Sequence, residues 1–145
     1  MEVFTIGFTK RSAAEFFGAL KQAGVRRLVD VRLHNSSQLA GYSKQEDLRY
    51  FLQNICGAEY FHETLLAPTE ELLGGYRKKR VSWAEYEERF RALIAERRIE
   101  ERLDPALFSG PTALLCSERT AERCHRRLVL EYLQTRWGEM KIVHL

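Results

Sequence analysis

The chain has 145 residues, of which 45% are hydrophobic and 30% charged, and its net charge is +3. This composition fits one globular domain with a core of its own and excludes a chain kept disordered by low hydrophobicity and strong charge. No apolar run approaches the roughly 20 residues that span a bilayer, no cationic leader precedes an apolar stretch, and three cysteines make no paired disulfide scaffold.

A cytoplasmic setting without a membrane partner is therefore expected. The mild basic excess is compatible with anionic ligands and does not require nucleic acid.

In chain order, Val3-Phe4-Thr5-Ile6 reads as a short strand closed by Gly7. Ser12 with Glu15 forms a capping box for a helix carrying Ala13, Phe16, Phe17 and Leu20 at helical spacing, and Gly24 stops it. A second strand covers Arg27–Val31, and its exit, Arg32 to Tyr42, reads as a long loop rich in Asn, Ser and Gly. Ser43 with Glu46 suggests another capping box, ahead of Leu48, Phe51, Leu52 and Ile55, with Gly57 past the end. Ala58–His62 is a third strand. From Glu63 to Val81 the pattern is irregular, with Pro68, Gly74-Gly75 and the basic run Arg77-Lys78-Lys79-Arg80.

Ser82 with Glu85 opens a long helix with Trp83, Tyr86, Phe90, Leu93 and Ile94 on one face. Its charged continuation through Arg102 is expected to project into solvent. Pro111–Cys116 is the fourth strand, a helix from about Thr120 to Trp137 follows, and Met140–His144 is the fifth strand. Strands alternating with helices predict a single-domain α/β fold, a three-layer sandwich with a mainly parallel sheet of about five strands. In such sheets ligands bind beyond the carboxyl ends of the strands.

Polar residues stand at four of those ends: Thr9 and Lys10 after the first strand, Asp30 and Arg32 at the second, Tyr60 and His62 at the third, and Cys116, Ser117 and Glu118 at the fourth. Cys124, His125 and Arg126 follow at the start of the last helix. A helix N-terminus favours anions and lowers thiol pKa values. Arg126 adds a planar group suited to phosphate or carboxylate.

The chain resembles the domain-of-unknown-function 488 family. The resemblance rests on Thr5-Ile6-Gly7, Val29-Asp30-Val31-Arg32, Leu114-Leu115-Cys116-Ser117-Glu118 followed by Cys124-His125-Arg126, and the terminal Val143-His144-Leu145. It implies the fold and the site more than a reaction. Where the family commonly has His after the Ile-Gly pair, this chain has Phe8, so no role of that His carries over. A fainter similarity, in Asp30-Val31-Arg32 and the strand-ending Cys, is to rhodanese domains. The residues after Cys116 lack the rhodanese Gly-containing loop, and the C-x5-R spacing of cysteine phosphatases puts Glu122 where Arg is required.

These residues suggest an enzyme or binding domain for an anionic small molecule or nucleotide. Cys116 is the candidate nucleophile, Glu118 and His125 the candidate proton carriers, and Thr9, Asp30, Arg32, His62, Cys124 and Arg126 the candidate ligand contacts. Several of them have a plainer role available. Cys116 and Cys124 could simply pack, His125 shares a helical stripe with Val129 and Tyr132, and Asp30 with Arg32 could be a structural ion pair. Zinc is not expected: Cys116, Cys124, His125 and His62 match no standard module, and neighbours on one helix point about 100° apart. No cofactor is expected either. The alternative is a nucleic-acid-binding module using Arg77, Lys78, Lys79 and Arg80, flanked by Tyr76 and Trp83. A third reading is an interaction protein without chemistry.

Overall fold

Five strands, β1 (Glu2–Gly7), β2 (Arg27–Asp30), β3 (Glu59–His62), β4 (Thr112–Cys116) and β5 (Lys141–His144), form one sheet in the order β3-β2-β4-β1-β5. The computed structural model describes residues 2–35, 41–118 and 121–145. All four pairings are parallel. The register sets Gly7 beside Cys116 and Asp30 beside both Leu115 and His62, so the carboxyl ends of four strands share one edge.

Parallel strands covered on both faces are apolar nearly throughout, and every residue of β4 is buried. Successive residues point to opposite faces. Ala113 and Leu115 join Phe16, Phe17 and Leu20 of α1 (Ala13–Gln22) and Leu48 of α2 (Gln45–Phe51). Leu114 and Cys116 join Phe90 and Ile94 of α4 (Trp83–Arg97) and Leu128 and Val129 of α6 (His125–Trp137). The expected three-layer α/β sandwich is what forms. Among the described residues, no helix is long and apolar enough to cross a membrane.

The predicted strands match to within a residue at most ends, and the Ser12/Glu15 capping box forms with both of its hydrogen bonds at 3.1 Å. Ser82 caps α4 by accepting from the Glu85 amide. Four expectations change. Ser43 does not cap α2: it is buried in a short 3-10 turn, and the helix begins at Gln45 behind Lys44 with no side-chain cap. The irregular stretch 63–81 contains α3 (Glu70–Arg77), capped by Thr69 through the Leu72 amide. Gly74-Gly75 hides this helix from a propensity reading. A Cβ on Gly75 would lie 3.0 Å from Val81, and the Gly75 carbonyl receives the amides of Arg80 and Val81.

The charged continuation of α4 does not project into solvent. Arg98 turns left-handed (φ 53°), and α5 (Ile99–Arg102) folds back with Ile99 buried. Tyr132 and Trp137 of α6 then donate to the Glu100 carboxylate and carbonyl. Finally, α6 starts at His125. Thr120, its expected start, lies outside the described residues, as do residues 36–40 of the expected loop.

Candidate functional site

Gly7 explains how the sheet edge and α6 meet. A Cβ there would fall 1.4 Å from the Glu118 carbonyl oxygen and 2.6 Å from Arg126 Nη1. Only a residue without a side chain lets the backbone after β4 and the Arg126 guanidinium pass over the end of β1. Arg126 is fully buried and donates to the Glu118 carbonyl at 2.5 Å. It braces the turn after Cys116.

The next residue back points elsewhere. His125 Nε2–H donates to the Val31 carbonyl at 2.7 Å, and Nδ1 faces Cys116 Sγ at 3.5 Å. The Phe90 ring packs edge-on at 5.3 Å and fixes the imidazole from the side. His125 therefore sits in a polar slot between two strand ends. Cys124, the N-cap of α6, is extended (φ −139°, ψ 139°).

Electrostatics follow from this geometry. The Cys124 thiol donates to Cys116, burial opposes the charge, and His125 and Arg126 favour it, so the Cys116 thiol is held well below its ordinary value. Burial pushes Cys124 well above its ordinary value, and its bond to Cys116 adds to this. For His125, burial works against the charged ring, but Cys116 and the Val31 carbonyl outweigh it and raise the pKa. These shifts favour a thiolate–imidazolium pair, with the neighbouring thiol as donor.

Cys116, Cys124 and His125 form the floor of a cavity of about 80 Å³. Tyr76, Trp83 and Tyr86 line it, Trp83 stacking on Tyr86 at 5.3 Å. Arg77, Glu118 and Arg123 stand at its rim and are exposed, so Glu118, a candidate proton carrier, meets solvent there. Arg32 also lines the cavity, though it is almost fully committed. Its Nε and Nη2 grip Asp30 at 2.9 and 2.8 Å, Nη2 also reaches the Ser43 carbonyl, and the guanidinium lies 5.2 Å over Phe8. Phe8, standing where a histidine was expected, thus presents its ring to a buried cation.

Of the residues expected to contact a ligand, Arg32 and Cys124 line the cavity, whereas Thr9, Asp30, His62 and Arg126 do not. Thr9 donates to the Ser117 carbonyl at 2.6 Å and His62 to the Arg32 carbonyl at 2.7 Å. Asp30 accepts from Arg32 and from Tyr60 at 2.6 Å. These four hold the walls. Trp83 and Tyr86 were missed as lining residues because their helical spacing reads as core, and Tyr76 because it reads as part of an irregular basic loop rather than of α3. The aromatic flanks of the basic run were the available signal.

A metal deserves the same geometric test. Cys116 Sγ, Cys124 Sγ and a His125 ring nitrogen lie within 4.8 Å of one another. The sequence argument that neighbours diverge on a helix fails here, because Cys124 precedes the helix in extended conformation. The three could reach one ion. Arg32 and Arg126, both close enough to Cys116 to interact with its charge, favour an anionic sulfur over a further cation.

No curated protein and no solved structure matches the chain. The family described as Domain of unknown function DUF488 matches it over residues 12–133, a span that takes in both cysteines of the cavity floor, His125 and the Asp30–Arg32 pair. On that match, the chain belongs to the DUF488 family.

Proposed function

We propose that the protein is a thiol-dependent enzyme in which Cys116 attacks an electrophilic centre on a small anionic molecule or on the anionic end of a nucleotide. The observation that carries this reading is the 3.5 Å approach of His125 Nδ1 to Cys116 Sγ, with Nε2 tied to the Val31 carbonyl. That tie fixes the ring orientation, so Nδ1 is the nitrogen that exchanges a proton with sulfur. Arg77 and Arg123 supply positive charge at the mouth, and Trp83 and Tyr86 supply a flat apolar wall. At about 80 Å³ the cavity is well below the ~300 Å³ that encloses a drug-sized ligand. A small anion would enter whole, and a nucleotide would enter by one end with its remainder against the aromatic wall.

Two alkylating agents test the anion preference. Iodoacetate is expected to modify Cys116 several-fold faster than neutral iodoacetamide does, relative to their ratio on a free thiol, with Arg77→Glu/Arg123→Glu abolishing the preference. Millimolar inorganic phosphate or a nucleoside monophosphate should slow both reagents. Absence of both the preference and the protection would overturn the anionic-substrate reading.

A second reading has one observation in its favour. Arg77 ends α3 at the cavity rim, and Lys78, Lys79 and Arg80 continue from it as an exposed turn in which Lys79 is left-handed. Such a turn could guide a phosphate backbone past the pocket. Binding of short single-stranded DNA and RNA should then fall steeply between 50 and 200 mM salt, by roughly tenfold per few phosphate contacts. Lys78→Ala/Lys79→Ala/Arg80→Ala should remove that binding while leaving Cys116 alkylation unchanged. Salt-insensitive or undetectable binding eliminates it.

A further inference from the structure

We infer that Cys116 and Cys124 form a hydroperoxide-reactive dithiol, in which Cys116 is oxidised first and Cys124 closes a reversible disulfide. The inference rests on the reading of Cys116 as a thiolate and adds a second chemistry to the same cavity. Three observations carry it. The two sulfurs lie within 4.8 Å of each other. Both line a cavity of about 80 Å³, large enough for hydrogen peroxide or a small alkyl hydroperoxide. Cys124 precedes the helical residues of α6 in extended conformation, so its thiol is not carried on the helix face and can turn toward Cys116 about its own Cα–Cβ bond.

The steps balance. The Cys116 thiolate attacks one oxygen of the hydroperoxide, the O–O bond breaks, and the departing oxygen takes the His125 proton to leave as water or alcohol. Cys116 is now a sulfenic acid. The Cys124 thiol gives its proton to the neutral His125 and attacks the Cys116 sulfur. The S–O bond breaks, hydroxide leaves as water with that proton, and a disulfide remains. Two thiols have supplied two electrons to the hydroperoxide, and a dithiol reductant restores them.

Cys124 is otherwise an improbable nucleophile, since burial and its bond to Cys116 both keep it protonated. Attack on sulfenic sulfur removes that obstacle, because the thiolate that held its proton has been consumed. Cys56 lies apart, on the other face of the sheet, where its thiol donates to the Phe17 carbonyl at 3.6 Å. It serves as a background to remove.

The test uses the full chain carrying Cys56→Ser, treated with one equivalent of hydrogen peroxide. The expected product has lost both remaining thiols and two hydrogens in intact mass, recovers both thiols with dithiothreitol, and takes up little dimedone. Adding Cys124→Ser should stop the reaction at a sulfenic acid that dimedone traps on Cys116. Adding Cys116→Ser should slow loss of the Cys124 thiol by about tenfold or more. Rapid alkylation of Cys116 at neutral pH without disulfide formation would overturn the dithiol and leave the thiolate reading standing. Slow alkylation as well would remove both. Stoichiometric zinc in the purified protein, shielding both thiols until a chelator is added, would also overturn the dithiol and replace it with a metal site.

Discussion

Replacing Asp30 with alanine is expected to lower the unfolding free energy by about 3–5 kcal/mol, measured by urea denaturation at neutral pH. Asp30 is completely buried. Its carboxylate accepts Arg32 Nε and Nη2, the Arg32 amide at 3.1 Å and the Tyr60 hydroxyl. Without it Arg32, itself only 3% exposed, keeps one carbonyl partner at Ser43 and the face of Phe8. An uncompensated buried guanidinium is the expensive outcome, and the alanine cavity adds to it.

Asp30→Asn preserves volume but not charge and should recover only part of the loss. The Asp30→Leu/Arg32→Met pair, which removes both charges, should be far less destabilised than either single change. A loss below about 1 kcal/mol for Asp30→Ala would mean that water or a rearranged partner reaches Arg32, and would remove the pair from the account of how the cavity wall stands.

The second large effect is on reactivity. Cys116 is expected to alkylate rapidly at about pH 6–7, where an ordinary thiol is almost entirely protonated. Cys56 should react only in alkaline solution, because burial raises its pKa. The sign follows from the shifts. Cys116 ionises at lower pH than a free thiol and His125 keeps its proton to higher pH, so the ion pair exists in the window between the two. Below it the thiolate is protonated and the rate falls. Above it the imidazole loses charge while the sulfur remains anionic, so alkylation persists.

His125→Ala removes the charged partner and should move the Cys116 inflection upward, costing at least tenfold in rate at pH 6. Cys124→Ala removes the hydrogen bond that most favours the thiolate and should move it in the same direction. Measuring iodoacetamide rates across pH, with Cys116→Ser to assign the fast phase, checks the assignment. A wild-type inflection at the free-thiol value, unmoved by either change, would show Cys116 to be a packing residue.

Much of this site is written locally in the chain, and some of it cannot be. That Cys116 ends a buried strand follows from the apolar run Thr112–Leu115, and that a helix follows soon after follows from the spacing of Leu128, Val129 and Tyr132. Arg126 illustrates the opposite case. Nothing in its neighbours says that its guanidinium will pass across Gly7 to the Glu118 carbonyl, because that direction depends on β1 lying beside β4. Without that register it reads as an anion contact. Trp83 and Tyr86 similarly read as core from their spacing. They reach the cavity because α3, hidden by two glycines, brings Tyr76 and Arg77 alongside them.

The amino-acid order alone determined the alternation of strands and helices, the parallel sheet and the gathering of polar groups at its carboxyl edge, since hydrophobic period and capping are properties of short segments. Only the tertiary structure decided which of those groups face the cavity and which hold up its wall. Side-chain direction at an element's end depends on what packs against it. Cys124 in extended conformation before α6, Arg126 against Gly7 and Arg32 locked to Asp30 are each fixed by partners distant in sequence or by a backbone turn that periodicity does not report.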